Sequence, residues 1–66
     1  MMRISVCSFD DYERIVAFLL DNGGPITSCD PERLVITAEI SEEFANRMYA
    51  DAGIESEISI WETTPD

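Results

Sequence analysis

At 66 residues the chain has room for one domain and no second core; a chain this size buries only about 60% of its unfolded surface, so its stability is modest. Fourteen carboxylates against four arginines, with no lysine or histidine, give a formal net charge of −10, a surface that repels nucleic acid and anionic lipid and attracts basic proteins. The 45% hydrophobic fraction speaks against disorder, and no apolar run approaches the roughly 20 residues that span a bilayer.

The opening Met-Met-Arg-Ile-Ser-Val lacks the apolar stretch and cleavage site of a signal peptide, which points to the cytoplasm. Arg3 to Cys7 then predicts a strand, with Ile4 and Val6 inward and Ser5 and Cys7 outward. Ser8 is placed to cap a helix, with Asp10 and Asp11 in the first turn where the helix dipole favours negative charge. Tyr12, Ile15, Val16 and Leu19 follow at helical spacing as its core face, and Asp10, Arg14, Ala17 and Asp21 fall opposite. Phe18 lies off both faces, either tucked at a helix boundary or exposed for a partner. Asn22-Gly23-Gly24-Pro25 ends that helix.

Ile26 to Cys29 predicts a second strand, and Asp30-Pro31-Glu32-Arg33 has the chemistry of a type I turn joining it to a third. That third strand, Arg33 to Ile40, has the clearest pattern in the chain: Leu34, Ile36, Ala38 and Ile40 share one parity, and Val35, Thr37 and Glu39 the other. Ser41 caps a second helix whose inner stripe is Phe44, Ala45, Met48 and Ala52, and Gly53 closes it. Ile54, Ser56, Ile58 and Ile60 then alternate with Glu55, Glu57, Ser59 and Trp61 as a fourth strand, leaving Thr63 to Asp66 as a tail. The expected organisation is one domain over residues 1–62.

The order strand, helix, strand, strand, helix, strand is the ferredoxin-like α+β arrangement, βαββαβ. It predicts a four-stranded antiparallel sheet of order 4-1-3-2 with both helices on one face. Cys7 and Cys29 then lie two strand spacings apart, about 9–10 Å, beyond disulfide reach, and are expected as free thiols. A two-cysteine metal site lacks both a Cys-x-x-Cys spacing and any histidine, and a catalytic cysteine lacks a histidine base. No glycine-rich phosphate loop, calcium loop or buried carboxylate pair is evident. The expectation is a protein without catalytic activity, cofactor or metal.

On the uncovered sheet face the pattern places Ser5, Cys7, Thr27, Cys29, Val35, Thr37, Glu39, Glu55, Glu57, Ser59 and Trp61. RNA-recognition domains use this face with stacking aromatics and basic residues, but strands one and three carry no aromatic here and the charge is opposite. ACT regulatory domains share the topology, without a matching ligand motif. The sharper reading is nucleic-acid mimicry. Glu55 and Glu57 would sit about 7 Å apart by strand rise, close to the spacing of neighbouring phosphates. Asp10, Glu13, Asp21 and Glu39 extend the negative surface, and Trp61 is the candidate aromatic anchor.

In size, charge and lack of a catalytic motif the chain resembles the small acidic inhibitors encoded by phages, including anti-CRISPR proteins. That resemblance implies a cytoplasmic inhibitor, monomeric or weakly dimeric, that occupies the basic nucleic-acid-binding surface of a protein such as a CRISPR effector complex. The alternative is a self-associating module, with Val35 and Trp61 at the seam, or a small-ligand-binding regulatory module, the acidic surface then serving solubility.

Overall fold

Both helices begin at a serine. Ser8 Oγ accepts the Asp11 N–H at 3.2 Å, and Ser41 Oγ accepts the Phe44 N–H at 3.1 Å. Each hydroxyl thereby satisfies an amide that the first helical turn leaves without a partner. From these caps run α1 (Phe9–Asp21) and α2 (Glu42–Asp51). Gly23 at φ +73° and Gly53 at φ +74° turn the chain out of them, in the left-handed conformation that glycine adopts at least cost.

The computed structural model describes residues 1–63. Its strands are β1 (Met2–Ser5), β2 (Ile26–Asp30), β3 (Val35–Ala38) and β4 (Ser59–Glu62). They form one sheet of order β2-β3-β1-β4 with every neighbouring pair antiparallel. Read from the other edge this is 4-1-3-2, the ferredoxin-like topology. Cys7 and Cys29 are free thiols, as expected.

Ile4, Ile36 and Ala38 project from one face of the sheet and meet Tyr12, Ile15 and Leu19 of α1 and Met48 of α2 in a single buried cluster. Both helices therefore cover that face. Phe18 is tucked in, meeting Phe44 edge-on at 5.7 Å between ring centroids, and so joins the two helices.

Four sequence expectations change. Arg33 and Leu34 are not strand residues: β3 begins at Val35, and Leu34 has φ +57°. Asp30 Oδ1 accepts the Arg33 N–H at 3.1 Å, closing the turn, and Leu34 supplies the left-handed residue that returns the chain to the sheet. Its side chain still packs on the core, so the alternation was right about burial and wrong about conformation.

Second, β2 carries a register shift between Ile26 and Ser28, with Ile26 opposite Ala38 and Ser28 opposite Thr37. The extra residue is Thr27, whose hydroxyl donates to the Thr37 carbonyl at 3.1 Å. A one-residue bulge exchanges the faces of everything beyond it. Ser28 and Asp30 thus replace Thr27 and Cys29 on the open face, while Cys29 pairs opposite the core residue Ile36.

Third, β1 ends at Ser5, so Cys7 is outside the sheet, and Glu39 lies beyond the end of β3, donating its N–H to the Pro25 carbonyl at 2.8 Å. Fourth, β4 is confined to Ser59–Glu62. Ile54, Ser56 and Ile58 are half-buried and Glu55 and Glu57 exposed, as the alternation predicts, but this segment makes no ladder. Thr63, assigned to the tail, donates its N–H to the Met1 carbonyl at 2.8 Å; the rest of the expected tail lies outside the described residues.

Gly24 is closely packed between α1 and the second half of the chain. A Cβ there would sit 2.7 Å from Leu19 Cδ2 and 3.2 Å from both Ile40 Cγ2 and Phe44 Cζ. Leu19 is fully buried and cannot swing aside. Gly24→Ala is therefore expected to destabilise the fold by about 1–3 kcal/mol through overpacking, read as a lowered urea midpoint with an unchanged slope.

Candidate functional site

With both helices on one side, no element among the described residues covers the opposite face of the sheet. Strand register arranges it in two rows: Trp61, Arg3, Thr37 and Ser28, then Ser59, Ser5, Val35 and Asp30. Between Trp61 at one edge and Asp30 with Arg33 at the other lies an open hollow of about 250 Å³, floored by Arg3, Val35 and Thr37.

Two of the four arginines thus share this face. Arg33 Nε is 3.8 Å from Asp30 Oδ2, and Arg3 makes no ion pair among the described residues. The other two serve the helix layer. Arg14 donates to the Gly53 carbonyl and lies 3.7 Å from Glu55, while the Arg47 guanidinium sits 5.6 Å above the Phe44 ring.

The acidic residues lie mostly elsewhere. Asp10, Glu13 and Asp21 are exposed on α1, where three full turns bring Asp21 into line with Asp10. Glu42, Glu43 and Asp51 are exposed on α2. Glu55 joins this group through its contact with Arg14. Glu57 is exposed, its carbonyl 3.5 Å from Cys7 Sγ. Neither Glu55 nor Glu57 belongs to a strand, so the phosphate-like spacing drawn from strand rise does not apply to them. Of the anticipated contact residues, Asp10, Glu13 and Asp21 share α1 with Glu55 nearby. Trp61 stands apart on the open sheet face, and Glu39 follows β3.

Asp11 has a role that its place in the first turn of α1 did not suggest. Its side of the helix is closed off, leaving 2% exposure. Oδ1 accepts the Glu55 N–H at 3.4 Å, and Oδ2 accepts both the Ser56 N–H at 3.3 Å and the Ser56 hydroxyl. The Ser56 hydroxyl bond is the main reason the carboxyl is held below its ordinary pKa of 3.8. Desolvation opposes it, and the Glu55 and Ser56 amides and the Ser8 hydroxyl add to it. Burial raises the Tyr12 phenol pKa, and Cys29, which the β2 bulge turns to that face, raises it further.

A sequence cue for the Asp11 clasp exists only in retrospect. Ser56 is the one polar residue on the inward parity of Ile54 to Ile60 and needs a buried partner. The hollow is hidden in the sequence for a different reason: Asp30 and Arg33 stand in a turn motif and Arg3 at the start of a strand, and only the assembled sheet brings them together.

Because the Asp11 pKa is depressed in the folded protein, its ionised form contributes stability that is fully present above about pH 4 and is lost as pH falls through the folded value. Asp11→Asn is expected to lower the melting temperature by several degrees at neutral pH, with the gap from wild type narrowing below pH 4. Thermal melts at several pH values check this; a gap constant with pH would show that the carboxylate's charge is not what the clasp uses.

Among the described residues no group of three metal-ligating side chains converges, and no helix is long and apolar enough to cross a membrane. Comparison of the chain with protein-family models, with curated proteins and with solved structures finds no match.

Proposed function

We propose that the chain is a non-catalytic protein-binding module that lays its acidic helix layer on the basic, nucleic-acid-binding surface of another protein and so occupies the place of the nucleic acid. A CRISPR effector complex is the class of target that its size and charge suggest. The observation that carries this reading is the separation of charge across the fold. Asp10, Glu13, Asp21, Glu42, Glu43 and Asp51 stand exposed on the helices, whereas the hollow on the opposite face is lined by Arg3 and Arg33 with one carboxylate, Asp30. Such a polarised surface orients an approaching basic partner toward the helices and raises its rate of encounter. Leu20 at 71% and Tyr49 at 43% exposure sit on the same two helices, apolar side chains of the kind that anchor an otherwise electrostatic contact.

This reading shifts the contact away from Trp61 and toward α1. The test is capture of partners from a bacterial lysate on the immobilised protein, with competition by duplex DNA. A nucleic-acid enzyme released by that competition and by about 1 M salt, where the Debye length is about 3 Å, is expected. With the partner in hand, the triple variant D10N/E13Q/D21N is expected to bind about tenfold more weakly, as several exposed pairs of modest individual strength are lost. Binding indifferent to salt, or unaffected by the triple variant, would remove the basis for the proposal.

A further inference from the structure

We infer that the open sheet face is a self-association surface, and that two copies of this chain pack face to face with the Trp61 of each seated in the hollow of the other. Two molecules of net charge −10 repel each other in most orientations. Repulsion is relieved over the hollow of the open face, where Arg3 and Arg33 outnumber Asp30, while the helices and their exposed carboxylates lie on the other face.

The side chains suit a second sheet. Ser5, Ser28, Ser59 and Thr37 are short and polar, Val35 is apolar, and Trp61 projects at one edge with 42% exposure. A closed dimer needs a two-fold axis and a self-complementary patch. An axis across the strands would lay each strand over its own copy, β4 on β4, and so keep each Trp61 away from the Ser28 and Arg33 side of the partner's hollow. An axis along the strands, passing between β1 and β3, instead sets β4 of one copy over β2 of the other. Each Trp61 then enters the hollow beside Ser28 and Arg33, where the guanidinium meets the indole face, and Val35 meets Ser5.

The area bounds the strength. Four strands of about four residues make a face of about 19 by 13 Å. Two such faces bury less than the roughly 1,200 Å² of a standard interface, so the association is weak and concentration-dependent.

Sedimentation equilibrium of the intact protein over a range of concentration and salt tests this. The dimer fraction is expected to rise with added salt, which screens the repulsion between the acidic layers. Trp61 emission should shift to shorter wavelength as dimers form. Trp61→Ser and the surface variant Arg33→Glu should each weaken the dimer about tenfold or more, with circular dichroism confirming that both remain folded; D10N/E13Q/D21N should not weaken it. A species of 7.4 kDa throughout, even in about 1 M salt, would overturn the inference. So would a dimer indifferent to both Trp61→Ser and Arg33→Glu, or a monomeric chain whose Trp61 responds only to added glutamate-rich peptide. Because salt strengthens this association and weakens binding to a basic partner, the two proposals fail independently.

Discussion

The segment between α2 and β4 depends on two side chains one helical turn apart on α1. After Gly53 the chain must cross the helix layer to reach the free edge of β1, and over Ile54 to Ile58 it has no strand to pair with. Backbone amides left without partners in a half-buried crossing carry a desolvation cost. Asp11 accepts from Glu55 and Ser56, and Arg14 donates to the Gly53 carbonyl. A carboxylate thus takes the N–H groups and a guanidinium takes the carbonyl at the start of the crossing. The segment's position in turn feeds β4 into its register on β1, setting Trp61 opposite Arg3. The composition of the open face is therefore linked to a buried aspartate on the other side of the sheet.

That link also explains how much of the molecule could be read in advance. Ser8, Ser41, Gly23 and Gly53 mark helix ends by local chemistry, and the periodicity of Tyr12, Ile15 and Leu19 identifies a core face without knowledge of the rest. These cues carried the element order and hence the topology. The open face resisted because β2, Ile-Thr-Ser-Cys-Asp, has a single large apolar residue to pin its register, and only pairing with β3 places the bulge at Thr27. The fourth strand was overextended because half-buried alternation is the same whether a segment is hydrogen-bonded to a neighbour or tethered by a side chain 44 residues earlier. Of the candidate contact residues, the exposed carboxylates of α1 followed from helical phase. The grouping of Arg3, Arg33 and Trp61 is a property of the assembled sheet.

The two proposed surfaces lie on opposite sides of a thin molecule, and that arrangement limits how they can work together. A dimer joined through the open faces carries its helix layers outermost, facing away from each other. A single basic groove then meets one layer at a time, so dimerisation adds no second contact to one target and no gain in effective concentration within it. What it offers is the capacity to hold two target molecules at once, one on each side. Charge favours this geometry over the reverse: pairing through the helices would oppose Asp10, Glu13 and Asp21 of one copy to carboxylates of the other, whereas pairing through the sheets keeps the acidic layers as far apart as two domains allow. On this account the few arginines of an acidic chain have divided roles. Arg14 and Arg47 brace the helix layer, and Arg3 and Arg33 relieve the negative charge on the one face where another copy can approach.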